Sequence, residues 1–346
     1  MSQGAIDDAS AVAGSPAQPS GTPARRSSWW GSSVRSVRHA DTLGLLLFLI
    51  ALGTFFSLKS PYFLSWSNFS AIAVAMSVYL TVACVQTIVL VSGGVDLAIM
   101  STVALSGLVF EWALLRGLPV VVVLLAGLAV GVAVGLLNAG IILGVGVNPL
   151  VVTIGTGFAV RGIAYIWTGG LPQPYFTGTW LNNIGNGTVF GVRTPIVIAG
   201  SVFVLVALTM RFTRLGSRVY AVGGSEYATS MSGISVKRLR TLVYVLSGVS
   251  AALGGLLLTA MDGSSFATSG YGEELLVLGA VIIGGTGLGG GRGTVFGTLL
   301  GVMLLGTLQN GFNLLGVQSY WQTFIQGVIL IVAVTQDEIR RRARGR

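Results

Sequence analysis

The stretch RFTRLGSRVYAVGGSEYATSMSGISVKRLR, Arg211 to Arg240, is the long polar interval that parts two sets of hydrophobic runs. It carries Arg211, Arg214, Arg218, Lys237, Arg238 and Arg240. Short loops rich in Lys and Arg stay on the cytoplasmic side of a membrane, so this charge orients every run around it. Within it, Ser225 is placed to cap a short helix with Glu226 in the first turn, and Ala228 and Met231 supply apolar contacts. Gly233 can end that helix in a left-handed conformation. Two readings stand: a solvated loop held inside by its charge, or a rigid docking element for a soluble partner.

Working outward, the chain is too apolar for a soluble domain. Of 346 residues, 53% are hydrophobic and 9% charged, with a mean hydropathy of +0.82. The expected fold is an all-α polytopic membrane protein. Punctuation by polar residues, Gly and Pro places hydrophobic runs near 43–58, 69–91, 95–115, 119–143, 148–168, 195–211, 241–261, 273–290, 294–315 and 319–335. Each approaches the roughly 20 residues that cross a bilayer. Ten spans put both ends on one side. The cytoplasm then receives Arg25, Arg26, Arg35 and Arg38, the six central cations, Arg292, and Arg340, Arg341, Arg342, Arg344 and Arg346. The outside receives only Lys59, Arg116 and Arg193. Residues 1–42, rich in Ser, Ala, Pro and Gly, are expected as a disordered cytoplasmic tail without a cleaved signal peptide. The expected membrane domain covers 43–335, the central loop 211–240 lies within it, and 336–346 is a basic cytoplasmic end.

The net charge of +9 does not imply nucleic acid, because the cations sit where orientation and anionic lipid explain them. Cys84 stands alone in an apolar run, which excludes a disulfide framework within the chain. Gly285, Gly287 and Gly290 fit a G-x-G-x-x-G spacing, but between membrane runs they read as a close-packed cytoplasmic turn, so no cofactor is expected. There is no phosphate-binding G-x-x-x-x-G-K-[ST] loop and no G-x-S-x-G, and the single histidine is His39. Neither ATP hydrolysis by that route nor a catalytic or metal site is expected.

An offset of about 172 residues aligns Leu136-Leu137-Asn138 and Leu143-Gly144-Val145 with Leu308-Gln309-Asn310 and Leu315-Gly316-Val317. The aligned runs are the fourth and ninth, five spans apart, which makes the halves two inverted repeats. Gly127, Gly131 and Gly135 form a small-residue ridge on the fourth run, and Gly297 with Gly301 begins one on the ninth. Four polar residues are candidates for a translocation pathway: Asp96, Asn138, Arg161 and Asn310. Each has a structural alternative. Asp96 can serve the positive end of a helix, Arg161 can snorkel or pair, and the amides can tie helices together. Among the loops, Gly169 to Thr194 reads as an interfacial cover or a partner surface, with Trp167 and Trp180 as interface anchors.

Several stretches in consistent order resemble the permease subunits of bacterial ribose- and xylose-type sugar ABC importers. They are SGGVDLAIMSTVALSG (92–107), NPLVVTIGTGFAVRGIAYIWTGG (148–170), YAVGGSEYATSMSGISVKR (220–238) and GGTGLGGGRGTVFGTLLGVMLLGTLQNGFNLLGV (284–317). The resemblance implies an inner-membrane subunit moving a monosaccharide or similar polyol inward by alternating access. It also implies a cytoplasmic ATP-binding subunit, an extracytoplasmic sugar-binding protein and a second permease copy or homologue. The family's ATPase-coupling segment falls on Gly223, Gly224, Glu226, Ala228, Ser232 and Gly233. Ser225 stands where Asn is usual, and Ala98, Ile99 and Met100 stand where Ser-Val-Gly is common. Ser225 and Met231 join the coupling set on the capping and packing grounds above. An ion-coupled secondary transporter remains the alternative, since inverted repeats and buried polar residues suit it too.

Overall fold

The structure is a computed structural model that describes residues 29–343. Expectations for residues 1–28 and for Arg344 and Arg346 therefore lie outside the described residues. The chain divides into two compact units, 1–39 and 40–346. In the first, 29–39 is helical, so the helical chain begins well before the boundary expected at residue 42.

The described elements are almost entirely helical. In order they are α1 (Trp29–Lys59), α2 (Trp66–Val91), α3 (Ile99–Leu115), α4 (Val120–Gly140), α5 (Pro149–Thr168), α6 (Trp180–Asn186), a small hairpin of β1 (Thr188–Val189) and β2 (Val192–Arg193), α7 (Thr194–Phe212), α8 (Arg214–Gly224), α9 (Glu226–Met231), α10 (Val236–Asp262), α11 (Glu274–Ile283), α12 (Val295–Leu314) and α13 (Ser319–Ala343). Among the described residues, six helices are long and apolar enough to cross a membrane: α2, α4 with its extension to Val145, α5, α7, α10 and α12. Leu43–Lys59, α3 and α11 are shorter apolar helices.

Local chemistry sets the ends. Ser65, Thr213, Ser225, Ser235 and Thr294 each turn a hydroxyl oxygen onto a backbone N–H of the first turn that follows. Pro149 opens α5 behind Asn148, whose side chain accepts from Leu150 N at 2.9 Å. Below α4, Ile141–Val145 widens into a π-turn and stops at left-handed Gly146. α10 starts at Val236, earlier than the run expected at 241, because Ser235 caps it and brings the basic residues into its first turns. α11 ends at Ile283, short of the expected 290, since Gly284 and Gly285 break it and the glycine-rich turn follows.

Two helices organise the second unit. α10 packs against α2, α3 and α4, while α2 packs against α7, α10, α11 and α12. At the α4–α10 seam a Cβ on Gly131 would lie 2.1 Å from the Gly248 carbonyl oxygen, and one on Gly248 would lie 1.9 Å from that of Gly131. Only glycine lets the two backbones meet there. The apolar core lies around these two helices, with Val82, Val89, Val243, Ala251 and Leu257 all fully buried. Part of the interval 169–194 is packed: α6 lies on the end of α10 with Leu181 buried and Trp180 half-buried in that contact, while Leu171, Tyr175 and Phe190 stay exposed. Trp167 remains exposed and meets Trp112 edge-on.

Candidate functional site

Three places hold the polar residues of interest. The first is the non-helical segment between α2 and α3, at the end of the bundle that carries the basic interval. Asp96 is buried in it. Its Oδ2 accepts from Ser247 Oγ of α10 at 2.7 Å, and its Oδ1 accepts from Ala98 N at 3.0 Å and Asn138 Nδ2 of α4 at 3.5 Å. Its carbonyl accepts from Gln86 Nε2 of α2 at 3.0 Å. One acidic residue thus ties three helices to the start of α3, and the bonds offset the desolvation cost of a charge in the bundle. Further along the same stripe of α10, Tyr244 donates its hydroxyl to the Val95 carbonyl at 3.4 Å. Arg240 donates to the Ser92 carbonyl at 3.4 Å. Positions 240, 244 and 247 are spaced four and three apart, which puts them on one helix face.

The second place is the segment between α10 and α11, at the opposite end. Arg161 of α5 is buried and donates Nη1 to the carbonyls of Ala267 at 2.7 Å and Ser269 at 2.6 Å. Glu111 of α3, wholly buried, accepts from Ser265 N at 2.6 Å and from the Ser265 hydroxyl. The sequence reading passed over Glu111. Its signal was a lone acidic residue in the apolar run LVFEWALL, the same kind of signal that singled out Asp96. Beside this segment, a cavity of about 360 Å³ is lined by Tyr79, Glu273, Gln309, Asn310, Asn313 and apolar residues including Met76 and Met261. Asn310 and Asn68 exchange reciprocal amide bonds of 2.9 and 3.0 Å at its edge.

Of the four pathway candidates, then, Asp96 and Asn138 meet in one knot. Arg161 grips a loop at the other end, and Asn310 lines the cavity. The aligned amides Asn138 and Asn310 have different partners, one a carboxylate and the other an amide.

The third place is the α8–α9 unit. The interval expected to hold one short helix holds two, because Thr213 caps a first helix whose Val219 and Val222 are buried against the bundle. Ser225 then both ends α8 and caps α9, accepting from Ala228 N at 3.2 Å. Gly233 follows at φ +77°, with open space around it. Tyr227 and Met231, 75% and 70% exposed, face away from the bundle, and Ala228 and Ser232, also exposed, line an open groove with Tyr220, Ala221 and Gly224 of α8. Glu226 instead reaches back to Arg240 at 2.9 Å. Gly223 is a contact of a different kind: a Cβ there would meet the Val91 carbonyl oxygen at 1.7 Å and Gly291 N at 2.4 Å. Gly291 N itself donates to that carbonyl at 2.8 Å. A Cβ on Gly291 would approach Gly224 Cα at 3.0 Å. The glycine-rich turn is accordingly a joint where three backbones meet.

Among the described residues no cluster of His, Cys, Asp and Glu is arranged to hold a metal. Residues 68–334 match the model of a family described as branched-chain amino acid transport system / permease component. The ribose import permease protein of Escherichia coli strain K12 is 38% identical over 297 residues, covering 84% of this chain and 92% of that protein. The ribose import permease protein of Bacillus subtilis strain 168 is 34% identical over 299 residues, covering 85% and 92%. The D-allose transport system permease protein of E. coli K12 is 32% identical over 299 residues, covering 86% and 91%. No solved structure matches.

Proposed function

The chain belongs to this permease family, and from that premise we propose that it is the membrane subunit of an ABC importer that passes a monosaccharide or similar polyol into a bacterial cell. The observation that carries the reading is the likeness to ribose and allose permeases across more than four fifths of the chain. A separate ATP-binding subunit drives the conformational change, an extracytoplasmic binding protein delivers the sugar, and a second permease copy or homologue completes the pore. The ten-span arrangement uses 43–59, α2, α3, α4, α5, α7, α10, α11, α12 and α13, with both ends and α8–α9 in the cytoplasm. The distribution of Lys and Arg supports that orientation. The two inverted repeats run from α1 to α5 and from α7 to α13. Their support is a pattern of pairing: α10 lies against α2, α3 and α4 as α2 lies against α10, α11 and α12.

In this reading Gly223 through Gly233 form the coupling element. Ser225, Gly224 and Gly233 set the shape of α9, Ala228, Met231 and Ser232 with Tyr227 face the ATP-binding subunit, and Gly223 and Glu226 join the unit to the bundle. The cavity beside Asn310 is a station on the pathway, since amides and a phenol hydrogen-bond sugar hydroxyls without the desolvation cost of a cation. Asp96, Asn138 and Arg161 hold the segments that flank that path.

Reconstitution with the ATP-binding subunit and binding protein tests the proposal. Ribose uptake into vesicles is expected to require ATP on the side of α9 and to withstand a protonophore. Uptake driven by an ion gradient without ATP would restore the secondary-transporter alternative. Gly233→Val, strained at a positive φ, should insert normally yet lose sugar-stimulated hydrolysis and uptake together.

A further inference from the structure

Several contacts that α8–α9 makes with the bundle meet on one short piece of chain, while the Tyr220 hydroxyl of α8 donates instead to the Gly293 carbonyl of the glycine-rich turn at 2.8 Å. Gly223 abuts the Val91 carbonyl, with Gly291 wedged against both. Glu226 pairs with Arg240, and the same guanidinium donates to the Ser92 carbonyl and lies over Gly93, where an added Cβ would be 3.5 Å from Nη2. From there the Tyr244 and Ser247 contacts run down the same face of α10 to Val95 and Asp96. Arg240 touches both α9 and this segment through its charge. Its side chain is mostly covered, 21% exposed, while Glu226 is 58% exposed, so the bond to the Ser92 carbonyl is screened less than the ion pair.

We infer that Arg240 is a positioning residue that makes the segment 91–98 the first receiver of movement in α8–α9. This rests on the reading of α8–α9 as the coupling element. The physical basis is leverage at a helix start: Asp96 and Ala98 set where α3 begins, and α3 packs on α4, α5 and α10. A displacement of residues 91–96 therefore reaches three helices through α3, whereas a push on an isolated helix end reaches one. α10 supplies the fixed rail, with Arg240, Tyr244 and Ser247 as successive grips.

Two measurements separate this inference from the function on which it rests. In the purified full-length permease alone, amide hydrogen exchange over residues 92–97 should rise about tenfold in Arg240→Gln, the scale of a lost charge-assisted hydrogen bond. Arg238→Gln, on an exposed face of the same turn, should leave it unchanged. Equal protection in Arg240→Gln and wild type would overturn the inference, as would an increase spread evenly over the whole chain. In the reconstituted importer, sugar moved per ATP hydrolysed is compared in Glu226→Gln, Arg240→Gln and the double variant. A shared relay makes the double variant no worse than Arg240→Gln, whereas independent, multiplying losses would overturn it. Loss of the ATP-binding subunit from Arg240→Gln with protection of 92–97 intact would assign Arg240 to partner binding and also overturn it. A wild-type permease that binds no ATP-binding subunit would sink the proposed function, and the exchange result would still report on the grip of Arg240.

Discussion

The segments 92–98 and 263–273 occupy corresponding places, each leading from a long central helix into a short apolar one, yet they are built differently. The first is seven residues long, and Ser92, Gly94, Asp96 and Ala98 are buried in it. Side chains of α2, α4 and α10 converge on Asp96 from three directions. The second is longer and carries left-handed glycines at Gly263, Gly270 and Gly272. Its front half is held by Glu111 and Arg161 and by backbone bonds to Gln173 and Phe176. Its back half opens at Tyr271. A short segment gripped at Ser92, Val95 and Asp96 along one face of α10 moves as a body, whereas a longer one held over its front half alone can yield in parts. On the proposed orientation the rigid one faces the ATP-binding subunit and the yielding one faces the incoming sugar.

The sharpest way to break this contrast is Asp96→Ala. It leaves Ser247, Asn138 and the Ala98 amide without their acceptor and should cost on the order of 3 kcal/mol or more. Thermal unfolding in detergent should show a broad loss of stability, with little folded protein recovered from membranes. A near-native melting temperature would mean that 92–98 is not held as one body. Glu111→Ala should cost less, about 2 kcal/mol, because Arg161 still holds the next turn of the other segment. Hydrogen exchange should then rise over 263–266 while 267–269 stays protected. Uniform exposure of the whole segment would erase the proposed division into parts. Smaller again is Gly270→Ala, which meets a left-handed φ of +64° and the flexible end of Met100 at 2.4 Å. A loss of about 1–2 kcal/mol is expected from backbone strain. Unchanged stability would show that the back half already samples other conformations.

Hydropathy made the long helices legible, since α5, α7 and α12 begin and end within one residue of the runs read from composition. Asp96 and Arg161 stood out because charge is conspicuous in apolar surroundings. Asn138 apart, their partners did not, because Ser247 comes from distant chain and Ala267 and Ser269 act through backbone carbonyls that leave no trace in sequence. The two-helix form of α8–α9 was hidden for another reason. Six cations dominate that interval, and the buried pair Val219 and Val222, three apart, is a short signal beside them. Glycine had the opposite fault: 51 of them mark close packing in general, and although its place after the short helix marked Gly233 as a left-handed terminator, nothing in the pattern showed that Gly223 presses on a carbonyl.

The seam where Gly131 and Gly248 bring two helix backbones together has a consequence for where water can enter the bundle. Ion leakage through a protein needs a file of water molecules or a chain of exchangeable hydrogens, and such a file needs a gap at least one water wide. A seam whose carbonyl oxygens would collide with a single added carbon has no such gap along that stretch. The α4–α10 pair therefore leaves no room for water between its backbones at that level, which confines any hydration there to other parts of the bundle.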